Sequence, residues 1–288
     1  MTVYLFGMSI STAALLVIPL GLVWQFTGRH IRRLLLAETL ITAALLLSIH
    51  PGGSGTGRLE LALIALCSNG LLTALILAVM FFRDPERDIP SVSGAILSPA
   101  DGRVVYVKRI IGGEIPIAVK KDCSMKLTEF ADAEFLTEGG YLVGIGMSVM
   151  NVHVNRAPIA GVIALIRRRP GKFLSLKTDE ALRENERVTT IIDNGDMRVG
   201  VIQIASRLVR RIVSYLPEGS DVAAGARIGR IRFGSQVDVV IPQREGLKVN
   251  VTPGQEVQAG ASILAMAEMK AHVERKSEKM VAEACCRT

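Results

Sequence analysis

The stretch "RIGRIRFGSQVDVVIPQ", residues 227–243, alternates apolar and polar positions on both sides of a Gly-Ser pair at Gly234 and Ser235. Alternation with period two is the pattern of half-buried strands. Two strands joined through Gly-Ser therefore predict a β-rich core with a break in its middle. The dipeptide is not distinctive by itself, because Gly53-Ser54 and Gly219-Ser220 also occur. What surrounds Ser235 has to decide its meaning.

The strand pattern extends outward from this stretch. "GRVVYVKRI", "IPIAVKK", "YLVGIGM", "NVHVNR", "GVIALIRR", "RVTTIID", "RVGVIQIA" and "LKVNV" read as further strands, separated by Gly, Pro and Asp. Helical signals are few. "DEALRENER" (179–187) is a short helix or an ordered loop, and "SRLVRRIVSYL" (206–216) is ambiguous between helix and strand. The segment "VTPGQEVQAGASILAM" (251–266) has the glycine-spaced rhythm of a hairpin-rich sandwich, as in lipoyl- and biotinyl-carrier domains. The expected class is α+β, β-rich, with a compact sandwich or barrel-like core over residues 83–270.

Upstream, the composition changes. The 288-residue chain is 49% hydrophobic with a mean hydropathy of +0.37, and the excess lies in residues 1–82. That segment has Arg29, Arg32, Arg33 and Arg58, no lysine, and only Glu38 and Glu60 as acids. Phe6–Phe26 and Leu61–Phe82 have the length of a bilayer crossing, and 34–49 is a shorter run that spans, tilts or lies re-entrant. Two or three transmembrane helices are expected. The first run has no basic n-region or small-x-small cleavage site, which argues against a signal peptide. The arginines of "GRHIRR", and Arg83 and Arg87 in "FFRDPERD", place those flanks in the cytoplasm by the positive-inside rule. The expected location is the cell inner membrane with a cytoplasmic soluble part.

Charge and cysteines exclude several classes. Beyond residue 82, Lys and Arg number 30 against 25 Asp and Glu, a balance too even for nucleic-acid binding and suited to an anionic lipid or a phosphate-bearing substrate. Cys67, Cys123, Cys285 and Cys286 have no CxxC spacing, so neither zinc nor a disulfide framework is indicated. The tail 271–288 reads as solvated.

Few residues can do chemistry. His153 is the one histidine inside the β-rich region, crowded by Asn151, Asn155 and Arg156. It is either a core histidine bonded to backbone or the base that a reactive Ser235 needs. Asp101 in "SPADG" is a turn residue by default, with a triad carboxylate as the alternative. Arg167, Arg168, Arg169 and Lys172 in "RRRPGKF" form a solvated charged edge or receive a phosphate or an anionic surface. "RENER" (183–187) reads as an internally paired loop. Lys270 in "AEMKA" matches a carrier's modified lysine only loosely.

Taken in order, "FFRDPER", "SPADG", "NVHVNRAPIAG", "RPGKF", "ENER", "QIASRLVRRIV" and the opening stretch resemble the phosphatidylserine decarboxylase proenzyme family, especially its short membrane-anchored branch. The resemblance runs from Phe81 to about Met266. It implies self-cleavage between Gly234 and Ser235, with Ser235 converted to a pyruvoyl group that forms a Schiff base with the substrate amine. No metal is implied. It further implies His153 as the residue assisting decarboxylation and Asp101 as part of the cleavage triad. Arg156 counts with the arginine run and Lys172 as a phosphate contact. The substrate would be phosphatidylserine, the product phosphatidylethanolamine, and the mature protein a heterodimer of its own two chains, with a higher homo-oligomer left open. Two departures stand out. Other branches carry a second histidine where Arg156 lies, and LGST where this chain has Phe233-Gly234-Ser235. Either His153 serves both steps, which is the expectation, or Asp101 and a water manage cleavage. An ether-linked phosphoserine lipid as substrate, and a non-enzymatic membrane adaptor with a lipoyl-like sandwich, are the alternatives.

Overall fold

The computed structural model describes residues 81–116, 124–126, 139–148, 151–174, 184–205, 212–231 and 236–267. It also describes isolated positions, among them 33, 36, 37, 40, 64, 67, 68, 70, 71, 73, 74, 78, 131 and 181. The run Phe6–Phe26, the tail 271–288, Lys270 and the Gly234-Ser235 bond lie outside the described residues. The chain divides into two compact units, Met1–Asp84 with Ser148–Val152, and Pro85–Met147 with His153–Thr288. In the first unit the described positions from Ile64 to Phe82 have helical backbone. Among the described residues, no helix is long and apolar enough to cross a membrane.

The second unit is β-rich, as the alternation predicts. Its strands are β1 (Ala95–Leu97), β2 (Gly102–Ile111), β3 (Glu114–Pro116), β4 (Ser124–Lys126), β5 (Gly139–Gly146), β6 (Val154–Arg156), β7 (Gly161–Arg169) and β8 (Arg187–Asp193). They continue as β9 (Arg198–Ile204), β10 (Ile212–Ser214), β11 (Asp221–Val222), β12 (Arg227–Ile231), β13 (Gln236–Pro242), β14 (Lys248–Val249), β15 (Glu256–Val257) and β16 (Ile263–Met266). A ten-stranded sheet runs β11-β7-β8-β9-β13-β5-β2-β3-β4, with β15 also on β2. Two three-stranded sheets, β10-β12-β6 and β1-β16-β14, accompany it. The two halves of the opening stretch thus fall in different sheets, β12 in a small one and β13 at the middle of the large one.

Register gives the large sheet two unlike faces. Directly paired residues share a face, so Val237, Val239 and Ile241 of β13 lie with Val143 and Ile145 of β5 and Val199 and Val201 of β9. These join Ile96 and Leu264 of one small sheet, and Ile212 and Ile231 of the other, in a single buried cluster. Each such side chain contributes about 1.5–3 kcal/mol by leaving water. The opposite face carries the rung Tyr106, Gly144, Asp238, Ile202, Thr189 and Arg167, read across six strands. β8, β9 and β13 are buried almost throughout, so both faces are covered there.

The two ambiguous segments are described in part. In "DEALRENER" the Asn185 N–H donates to the Ala181 carbonyl at 3.1 Å, one helical turn, and the strand begins at Arg187. In "SRLVRRIVSYL", Ile212–Ser214 is strand, and residues 206–211 lie outside the described residues. In the glycine-spaced segment, Gly254 and Gly260 adopt φ of 94° and 75°, the left-handed region that a turn needs and glycine enters freely. A Cβ on Gly260 would also meet Ile89 at 2.9 Å and Arg156 at 3.0 Å.

Candidate active site

The residues flanking the Gly234-Ser235 bond are held on both sides. Upstream, β12 pairs with β6, and the Ile231 N–H donates to the His153 carbonyl at 3.1 Å. This contact seats His153, fully buried, beside the last residue of the strand that leads to the bond. Downstream, Gln236 starts β13 between Gly146 of β5 and Ile204 of β9. Its Nε2 donates to the Tyr106 hydroxyl and to Asp238 Oδ1, each at 2.7 Å.

β6 continues with two more buried polar residues that alternate sides. Asn155 Oδ1 accepts from Gln203 Nε2 of β9 at 2.8 Å, and its Nδ2 donates to the Pro99 carbonyl at 3.3 Å. These bonds tie the small sheet to the core-facing side of the large one, and Gln203 is the residue paired with Val237. Arg156 points the other way. Its guanidinium donates to the carbonyls of Gly225 at 3.0 Å and Pro85 at 3.1 Å. An arginine so engaged cannot replace a histidine as a base, since guanidinium stays protonated and has only donors.

Asp101 lies in the turn before β2 and is buried. Its Oδ1 accepts from the Ala259 N–H and its Oδ2 from Arg87 Nη2, both at 2.8 Å. Arg87 reaches Gln258 as well, at 3.2 Å. This carboxylate joins "FFRDPER", "SPADG" and the glycine-spaced segment at one point.

The basic run is dispersed by strand alternation. Arg167 and Arg169 pair with Thr189 and Arg187 on the polar face, and Arg168 pairs with Val188 on the other. Arg168 Nη1 contacts Glu186 at 2.6 Å and its Nη2 donates to the Ile212 carbonyl; Lys172 contacts Glu184 at 2.7 Å. Glu184 and Glu186 of "RENER" thus pair with Lys172 and Arg168 of "RRRPGKF". The reason is backbone geometry. Lys172 and Asn185 form a bridge, and Asn185 bonds Leu174 N–H and O and the Ala205 carbonyl, which sets the two segments side by side.

A buried triangle escaped the sequence reading. Tyr106 Oη donates to Asp238 Oδ2 at 2.6 Å, closing a ring with Gln236. A Cβ at Gly144 would lie 2.5 Å from the Tyr106 ring, so the glycine makes room for it. Complete burial pushes the Asp238 carboxyl up to about 6, against the opposing bonds from Tyr106 and Gln236 and the fields of Lys108 and Arg187. Burial, and then the neighbouring Asp238, hold the Tyr106 phenol well above its usual range. The signal was present as an acid inside the otherwise apolar "VDVVI".

The sequence profile of the phosphatidylserine decarboxylase family matches residues 75–265. A phosphatidylserine decarboxylase proenzyme from Chlorobium phaeobacteroides is 37% identical over 203 residues, covering 70% of this chain and 85% of the relative. One from Azorhizobium caulinodans is 40% identical, covering 66% and 73%. Another from Erythrobacter litoralis is 40% identical over 228 residues, covering 76% and 87%. With the matched region spanning both halves of the opening stretch, His153 and Asp101, this chain belongs to the phosphatidylserine decarboxylase family.

Proposed function

We propose that the chain is a phosphatidylserine decarboxylase that cuts itself between Gly234 and Ser235 and converts Ser235 to a pyruvoyl group. The observation that carries this reading is the pinning of the two flanking strands in separate sheets, with His153 seated at the upstream end. The strands on either side can hold the reacting bond while it breaks. They can also keep the two products together afterwards.

The cleavage uses only groups of the chain. Ser235 Oγ bonds to the Gly234 carbonyl carbon and the Gly234–Ser235 C–N bond breaks, leaving an ester and a free amine. Removal of the Ser235 Cα proton then breaks the Oγ–Cβ bond, and Gly234 leaves as a carboxylate. Water adds to the remaining dehydroalanine, ammonia departs, and a ketone stays on the small chain. Glycine upstream leaves its carbonyl open to attack. His153 is our candidate for moving the proton in these steps and again at the substrate, because Arg156 is committed as a donor to Gly225 and Pro85. Asp101 is assigned a positioning role through Arg87 and Ala259. A pyruvoyl group at position 235 would supply a ketone to hold the substrate amine and an electron sink for the loss of CO₂.

The fold suits a cleaved heterodimer. The small chain would begin at the residue before β13, and β13 lies between β5 and β9 of the large chain. β15 and β16 pair with β2 and β1 of the same large chain. The apolar runs before Phe82 supply the membrane anchor, with the catalytic unit cytoplasmic. Protease added to sealed inverted vesicles should then digest the unit from Pro85 onward, and protection would reverse the orientation.

Intact mass under denaturing conditions tests the central claim. Two chains divided between Gly234 and Ser235, the smaller with a ketone at its N-terminus, are expected in the native protein. They should be absent in Ser235→Ala, which should also release no CO₂ from phosphatidylserine vesicles. A native chain that stays whole sinks the proposal.

A further inference from the structure

We propose that Asp238 is a positioning residue for self-cleavage, holding Gln236 and through it the backbone directly after Ser235, and that it does so in its ionised form. The inference rests on the cleavage reading above.

The triangle of Tyr106, Gln236 and Asp238 is closed on all three sides. Gln236 Nε2 donates to both Asp238 Oδ1 and the Tyr106 hydroxyl, and that hydroxyl donates to Asp238 Oδ2. Two donors converge on one carboxylate, and both bonds are charge-assisted, and so strongest, when it carries no proton. Gln236 is also fixed by β5 and β9 on either side, so its side chain and backbone are set together. The Ser235 carbonyl is bonded to the Gln236 nitrogen. When the Ser235 Cα proton leaves, negative charge develops on that carbonyl, and its orientation decides how well the charge is delocalised. A loosened Gln236 misplaces it, and small misplacements are costly to rate.

The surroundings define when the carboxylate is charged. β2 presents Tyr106 and Lys108 to it and β8 presents Arg187, whereas the immediate neighbours Gly144 on β5 and Ile202 on β9 bring no charge. Burial and these groups place the midpoint at about 6, inside the range where cleavage can be followed. Protonation removes the charge that strengthens both bonds to Asp238.

The test follows self-cleavage of the freshly synthesised full chain in lipid nanodiscs by intact mass, from about pH 5 to about pH 8. Wild type, Asp238→Asn and Tyr106→Phe are compared. His153 is present in all three, so its titration cancels in the ratio of rates. The wild-type rate should exceed that of Asp238→Asn by about tenfold at the alkaline end, the equivalent of one charge-assisted hydrogen bond. The ratio should fall towards one as pH drops through the midpoint. Tyr106→Phe removes a donor that favours the charged carboxylate, so its acid fall-off should move to higher pH. A ratio that is flat with pH, or equal rates, overturns the proposal while leaving self-cleavage intact. If Asp238→Asn does not fold, an unshifted profile in Tyr106→Phe overturns it just as well. A wild-type chain that never cuts removes the step itself, and with it both readings.

Discussion

Asp101 and Asp238 are the same residue at similar depth, and their surroundings give them opposite characters. Asp101 has Arg87 at 2.8 Å on one oxygen and a backbone N–H on the other. Among the described residues, Asp238 has the neutral donors Tyr106 and Gln236 within bonding distance, while Lys108 and Arg187 act on it through the field. A cation in contact repays the loss of water around a carboxylate; distant cations and neutral donors repay only part of it. The first carboxylate is a fixed strut that joins three segments. The second sits close to its own titration and can respond to pH.

The contrast can be broken from either side. Asp101→Asn leaves the half-buried Arg87 charge without its carboxylate, and about 3 kcal/mol of stability should be lost at neutral pH. Urea unfolding in the uncut Ser235→Ala background measures it, and an unchanged midpoint would mean that Arg87 finds other partners. The smaller effect belongs to Asp238. Its folded midpoint of about 6 lies above the ordinary 3.8, so the folded state holds the proton more tightly than the unfolded one. Stability from this group is complete below about pH 4, declines as pH rises to about 6, and is level beyond. The decline amounts to about 2–3 kcal/mol, at 1.36 kcal/mol for each unit of difference. Asp238→Asn should flatten that window without lowering stability at neutral pH, even as it slows cleavage. A window that persists in the variant would assign the slope to another group.

Much of the fold was legible in local signals. The strands at "GRVVYVKRI", "RVTTIID", "RVGVIQIA" and "QVDVVIP" appear where their short runs, bounded by turn residues, place them, since those bounds are local whatever the partner strand. The glycines at 254 and 260 were legible too, because a turn needs backbone that only glycine enters easily. The segment "DEALRENER" was not, for its one helical turn depends on Asn185 being captured by Leu174 and Ala205 from other parts of the chain.

For the site, the order of the motifs by itself pointed to the family and singled out the proposed Gly234-Ser235 break and the candidates His153 and Asp101. Residue type and spacing along the chain carry that information. Tertiary structure alone decided the partners. Asp101 meets an arginine 14 residues earlier and an N–H 158 residues later, and Arg156 finds carbonyls at Gly225 and Pro85. Tyr106 meets an aspartate 132 residues away because β2, β5 and β13 lie in register. Burial and hydrogen bonding are properties of neighbours in space. Sheet register chooses those neighbours from distant strands, and no local stretch of this sequence contains both members of the pair.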